Sequence, residues 1–365
     1  MPTIRRVCWA KALQLAAVVF VAVAAGAPAC SFADVVTDNT PGLVIDQPPA
    51  DSPPTFIGNA GGGLVITPTF TANFNTNFGA NAVAAQNAWI AAANIFSSNF
   101  NDNIHVNITV DATSGTSPFG QSSTFLNSTT YSNLRSKVAA DSKTADDATA
   151  LSAGGSMVST DPVSGIHTWW VTRAQAKAIG LIADDLNNDG TTTFGAGNPF
   201  SFSGTPGSGF YDFKGVAAHE IAEVMGRLGI SGGTIGSSTN SHSLIDDFSY
   251  SGAATKALNG GANNNFSIDN GTTLLKLWNN NALNSLDTRD WAPSSQGGSG
   301  APDSFNQFSS SGVVNPVTTV DLRLMDVIGY DRVFPAPEPS SFVLGGLGLL
   351  GLVGFARRRR PTPFT

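Results

Sequence analysis

The amino-acid sequence predicts an α+β fold on three observations. Leu64 to Phe74 (LVITPTFTANF) and His105 to Asp111 (HVNITVD) alternate and are rich in β-branched residues, the period-two pattern of strands. Ala80 to Phe100 instead carries Val83, Ala84, Trp89, Ile90, Ala93 and Phe96 at helical spacing, which predicts a helix of about 20 residues. Gly215 to Arg227 (GVAAHEIAEVMGR) holds a second helical pattern, in which Ala217, Ile221, Val224, Met225 and Leu228 form one apolar stripe.

The chain begins with a segment outside the fold. Arg5, Arg6 and Lys11 precede an apolar run from Ala12 to Ala25, and Ser31-Phe32-Ala33 offers a small-x-small cleavage site, so residues 1–33 read as a secretory signal peptide. Lipidation at Cys30 is the weaker reading, because Pro28 fits poorly before a lipidated cysteine. Both cysteines, Cys8 and Cys30, fall in this leader, so the exported protein is expected to fold without disulfides. Setting aside three basic residues in the leader and four arginines in the tail leaves 12 basic residues against 26 acidic ones, a balance near −14. That charge argues against nucleic acid and anionic lipid surfaces as partners and favours divalent cations.

Residues 34–63 are rich in Pro, Gly and Asp without periodicity and read as a linker, and residues 64–332 read as one domain. Within it, Ser128 to Ala150 gives no clear order. His167 to Thr172 predicts a strand leading into a helix over Arg173 to Ile182, with His105 and His167 in structural positions. Asp185-Leu186-Asn187-Asn188-Asp189-Gly190 fits the start of a calcium loop through Asp185, Asn187 and Asp189, although Ala196 stands where the bidentate Glu belongs. A plain Asx/Gly turn is the competing reading. Phe200 to Phe202 predicts a short edge strand, Leu228 to Ser241 a flexible loop at a site mouth, and Thr318 to Ile328 a closing helix. That helix is capped by Thr318 and Asp321, ended by Gly329, and keeps Met325 for core packing.

The helix over Gly215–Arg227 carries the candidate chemistry. The chain has three glutamates among its 26 acidic residues, and two of them, Glu220 and Glu223, follow His219 at one and four positions. Residues four apart lie about 6 Å apart at their Cβ atoms, so His219 and Glu223 can converge on one ion while Glu220 falls beside it. This is the geometry of an HExxH zinc helix with the second His replaced by Glu, and the added negative charge makes any bound metal a weaker Lewis acid. The competing reading is a solvated amphipathic helix with an incidental His-Glu pair.

At the other end, Pro337-Glu338-Pro339-Ser340-Ser341 (within a 333–341 linker) precedes an apolar stretch from Phe342 to Ala356 and four arginines. This tail, 342–360, resembles the PEP-CTERM sorting signal of Gram-negative bacteria. The resemblance implies export, transient anchoring in the inner membrane, and removal by an exosortase-type enzyme that leaves the protein in the envelope or outside the cell.

The order of strand, long helix, strands, HExx helix, polar loop and short helix resembles the metzincin-like zinc metallopeptidases. HEIAEVMGR, IDDFSYSG, DWAPSS and NPVTTVDLRLMDVIGY are similar to a bacterial subgroup that often carries this tail. The resemblance implies a metzincin-like fold: a twisted mixed sheet with a long helix and an active-site helix, a loop-rich C-terminal subdomain, and a metal in the cleft beneath the upper sheet. In the family's HExxHxxGxxH pattern Gly226 matches the glycine, but Glu223 replaces the second His and Gly229 occupies the third ligand position. The resemblance points to Asp246 as third ligand, two residues before Phe248, with His242 second and water or no metal as further alternatives. Tyr250 is its candidate for stabilising an oxyanion.

The expected function is a secreted zinc endopeptidase acting on a protein or peptide. His219, Glu223 and Asp246 would hold zinc, and Glu220 would serve as general base. The alternative is a non-catalytic matrix or exopolysaccharide-binding protein on the same scaffold.

Overall fold

Phe70, Phe74 and Phe78 pack in a row with their rings tilted by 51° and 50° and centroids 4.9 and 4.7 Å apart, and the core grows outward from them. The computed structural model describes residues 63–284 and 287–333, with the backbone of 30–31 and 33–38. Residues up to Arg332 form one unit and Val333–Thr365 a second. The calls on the leader, the 333–341 linker and the tail lie outside the described residues, apart from those few N-terminal backbones and Val333.

In the first unit, β1 (Cys30–Ser31) and β2 (Ala33–Asp38) come first, so the beginning of the expected linker is a strand. β3 (Val65–Phe70) is shorter than the alternating pattern, because Thr71 ends it and caps α1 (Ala72–Phe78) by accepting from Phe74 N at 3.1 Å. The predicted long helix is α2 (Ala82–Asn99), followed by β4 (His105–Thr113) and β5 (Gly120–Thr129). The stretch that gave no order in sequence forms α3 (Tyr131–Asp141) and α4 (Ala145–Leu151), each capped by a threonine. β6 (Thr168–Thr172), α5 (Arg173–Ala178), β7 (Asn188–Gly195), β8 (Phe200–Ser201) and β9 (Tyr211–Asp212) then lead into α6 (Phe213–Val224).

The main sheet runs β10-β11-β6-β5-β7-β4-β3, with β2 pairing in parallel along β5. It is mixed: β3, β4 and β7 are parallel to one another, while β5 is antiparallel to both β7 and β6. Its far edge corrects one expectation. The Gly/Ser/Thr-rich stretch after α6 is not simply a flexible loop, because it folds into the hairpin β10 (Gly233–Ile235) and β11 (Ser238–Ser243), and β11 pairs in parallel with β6.

The rest of the chain is short-stranded. A 3-10 turn (Leu244–Phe248) leads into a four-stranded sheet of β12 (Ser249–Gly252), β13 (Thr255–Lys256), β14 (Asn265–Phe266) and β15 (Lys276–Leu277). α7 (Asn281–Asn284), β16 (Phe308–Ser309) and α8 (Thr319–Val327) complete it, and α8 has the expected Thr318–Asp321 capping box.

α6 is held on every side. α2 presents the buried small side chains Ala85, Ala88, Ala92 and Ala93, and α6 presents Ala217, Ala218 and Ala222. Small residues let the two helices approach closely, and full burial of each larger apolar neighbour contributes about 1.5–3 kcal/mol. Phe213 anchors the start of α6 among Phe78, Phe194, Phe200 and Phe202. The helix is therefore buried on all faces, including the one that carries His219, Glu220 and Glu223. The competing reading of a solvated helix is overturned.

Candidate metal centre

Why α6 aims three polar side chains inward follows from its ends. Asp212 precedes it and accepts from Asn315 N at 3.0 Å, tying the helix start to the segment before α8. At the other end Gly226, with φ 114°, breaks the helix, and Arg227 turns back toward the segment 288–292. His219 and Glu223 share one face of the helix at a four-residue step, and Arg227, beyond the break, comes to the same place by bonding to Asp290 and the Arg289 carbonyl.

His219 is fully buried, and its Nδ1 lies 2.8 Å from the Ser304 carbonyl. A carbonyl only accepts, so Nδ1 donates to it and Nε2 is left to face the carboxylates, where a neutral ring would offer its lone pair to a cation set between them. Burial drives the ring toward this neutral form, lowering its pKa to about 4 against the opposing charge of Asp290. Glu223 Oε1 stands 3.0 Å from Nε2, as the i, i+4 spacing requires, and Asp290 Oδ1 stands 3.3 Å from it. These three are the only His/Cys/Asp/Glu group among the described residues with ligand atoms all within 4.8 Å of one another.

One nitrogen lone pair and two carboxylate oxygens thus converge. Two ligand atoms each about 2.1 Å from a tetrahedral zinc are about 3.4 Å apart, so the observed separations need little adjustment to receive the ion. Asp290 Oδ2 is buried and accepts no hydrogen bond among the described residues, leaving acceptor capacity at the same point. The Nδ1–carbonyl contact is also the usual second-sphere support of a metal-binding histidine.

Glu220, the residue after His219 in the sequence, is fully buried. Gly120, the first residue of β5, makes room for it, since a Cβ there would lie 2.3 Å from Glu220 Oε1 and 3.0 Å from Val216 Cγ1. Arg227 is 1% exposed; its Nη1 donates to Asp290 Oδ1 at 3.1 Å and its Nη2 to the carbonyls of Arg289 and Phe305 at 2.7 and 3.1 Å. The guanidinium also lies 4.1 Å from the Phe305 ring centroid.

The structure places the third ligand differently from the expectation. Asp246 is not in the group: Oδ1 pairs with Arg289 Nε at 2.8 Å, and Oδ2 accepts from Ser231 N and Ser243 N, each at 2.8 Å. Its oxygens are committed to capping the 3-10 turn and holding Arg289, and it acts on the centre only through the residue before Asp290. His242 is also elsewhere, with Nε2 3.1 Å from Asn240 Oδ1 and its ring against Trp169. Gly229, where the HExxHxxGxxH pattern has its third ligand, is covered by Arg289, whose Cγ would lie 2.3 Å from a Cβ there. The neighbouring Asp290 reaches the cluster instead.

Tyr250 is likewise removed from the centre. Its hydroxyl donates to the Ser156 carbonyl at 3.1 Å, and Lys256 Nζ sits 4.8 Å from its ring centroid. The calcium residues are also spoken for. Asp185 pairs with Arg173 and Lys177, Asn187 Nδ2 donates to Asp185 at 2.8 Å, and buried Asp189 meets Lys177 Nζ at 2.8 Å. Two protein cations supply the positive charge that a calcium ion would bring. Asp189 is the bulged residue of β7 between Asn188 and Gly190, and Asn187 N donates to Asp185 Oδ1 at 3.1 Å, so the Asx/Gly turn describes the segment better.

The comparisons with known proteins speak to the C-terminal end. Residues 335–360 match the PEP-CTERM protein-sorting motif. The chain carries a sorting signal for export and for membrane-anchored processing by an exosortase-type enzyme in a Gram-negative bacterium. No curated protein and no solved structure matches the chain. Among the described residues no helix is long and apolar enough to cross a membrane, and the expected spanning segment at 342–360 lies outside them.

Proposed function

We propose that this exosortase-processed protein is a zinc-dependent peptidase whose ion is held by His219, Glu223 and Asp290. The convergence of Asp290 Oδ1 on the His219–Glu223 pair carries the reading, because it brings a third donor to the lone pair of a neutral imidazole. Held there, zinc would supply a Lewis acid that acidifies a water and offsets the charge developing on a peptide carbonyl.

The chain's own groups do the rest. Ser304 fixes the orientation of the His219 ring, so that Nε2 faces Glu223 and Asp290. Glu220, about 100° around the helix from its neighbour, would act as general base, taking the proton from the attacking water and delivering it to the leaving amine. The buried surroundings strengthen each of these interactions.

The second reading is a non-catalytic envelope protein that retains a structural centre. One observation favours it: His219, Glu220, Glu223 and Asp290 are each at most 1% exposed, so a polypeptide reaches them only if the cover formed by β5 and the Ser304 segment opens.

Hydrolysis of unfolded casein by the full chain and by Glu220→Gln separates the two. A general base contributes about 100- to 10,000-fold in rate. The enzyme reading expects a loss of that size with zinc retained, whereas equal turnover, or none by either protein, supports the structural centre.

A further inference from the structure

Arg227 places a full positive charge in contact with the cluster, and it is bound more tightly than an ordinary ion-pair partner. Its Nη1 donates to the same Asp290 oxygen that faces His219, and its Nη2 donates to two backbone carbonyls, from Arg289 and Phe305. Its charge lies over the Phe305 ring at 4.1 Å, beside the Ser304 that holds His219, and near the Trp291 ring at 5.7 Å, in the segment that delivers Asp290. Trp291 is fixed in turn by stacking on Trp278 at 4.2 Å and by donating Nε1 to Asp321 at 2.7 Å. The guanidinium has no freedom to withdraw when a cation enters.

We infer that Arg227 sets the charge of the centre, trading metal affinity for Lewis acidity. The inference rests on the metal reading above. Two carboxylates would cancel a divalent charge, and a neutral centre polarises water and carbonyls weakly. Arg227 restores one positive charge beside Asp290, drawing electron density from the ligand oxygen that would face the ion. The same charge repels the incoming cation in a buried setting, where such repulsion is strong. A centre built only to hold metal tightly would omit this residue; one built for chemistry gains from it.

Zinc affinity of the full chain, measured by competition with a chromophoric chelator, tests the inference. Arg227→Gln keeps hydrogen-bond donors without the charge, and Arg227→Lys keeps the charge without the fork. We expect Arg227→Gln to bind zinc at least tenfold more tightly than wild type, and Arg227→Lys to stay within about threefold of it, a tenfold change being about 1.4 kcal/mol. Cobalt in place of zinc should give the same absorption spectrum in wild type and Arg227→Gln, because Asp290 remains a ligand. Equal or weaker binding by a folded Arg227→Gln, or a changed cobalt spectrum, overturns the inference and leaves Arg227 as a prop for the 288–292 segment. If Arg227→Gln does not fold, Arg227→Met carries the same comparison. Absence of zinc binding by wild type overturns the metal reading itself, and with it this role.

Discussion

Asp246 and Asp290 lie at the two ends of one buried relay, with Arg289 between them. Asp246 Oδ1 accepts from Arg289 Nε at 2.8 Å, and the next residue, Asp290, faces His219 Nε2 at 3.3 Å. The first carboxylate anchors the segment and the second presents itself to the cluster.

Substitution should therefore separate the two. Asp290→Asn keeps an acceptor for Arg227 but removes the charge, and zinc affinity is expected to fall at least tenfold, with a smaller loss of Tm than for Asp246→Ala because the hydrogen bond is kept. Asp246→Ala leaves Arg289 buried without its partner, and breaking such a pair costs about 3–5 kcal/mol. That variant should melt well below wild type yet still bind zinc when folded. Chelator competition together with thermal unfolding checks both, and the reverse pattern would return Asp246 to the ligand set.

Gly120 concerns the general base. In Gly120→Ala the new methyl meets the Glu220 carboxylate, so either β5 or the carboxylate shifts. Hydrolysis is expected to fall by about 10- to 100-fold while zinc stays bound, since a displaced base forfeits part of its usual contribution. Caseinolysis and metal content measured on one preparation test this.

The fold should weaken as pH rises from about 4 to about 8. Burial pushes the carboxyls of Asp102 to about 8 and of Asp141 to about 7, with Asp331 adding like charge to both. Burial likewise raises Asp321 and Asp326 to about 7. An ordinary Asp in the unfolded chain titrates near 3.9, so the folded state holds extra protons between about pH 4 and 8. Their stabilising contribution is complete below the unfolded value and is lost as pH rises through the folded ones. Melting at pH 5.5 and pH 8.5 should show Tm lower at the higher pH by about 5 °C or more. A Tm that rises with pH would contradict the placement of these groups.

Much of the site was legible because glutamate is scarce here and the helical spacing is strict. His219, Glu220 and Glu223 follow from local pattern alone. Asp290 was missed because it joins the cluster through tertiary structure, as one aspartate among many. The signal was nonetheless present in DWAPSS, whose first residue is this aspartate. Asp246 attracted attention through its position relative to Phe248, a pattern that does not reveal that Arg289 occupies it. The calcium reading failed for the same reason, since Arg173 and Lys177 arrive from α5. Among the elements, Val65–Phe70 and Ala82–Asn99 were readable from periodicity. The β10–β11 hairpin was hidden by its Gly/Ser/Thr composition, because β11 owes its place to pairing with β6 more than to its own side chains.

The metal content of the full chain, purified without chelators and measured by elemental analysis, bears most directly on the centre. The expected result is about one equivalent of zinc per chain, absent from His219→Ala and from Glu223→Ala. Wild-type protein that carries no transition metal, and takes up none on titration, would contradict it and leave His219, Glu223, Asp290 and Arg227 as a buried ion-pair network.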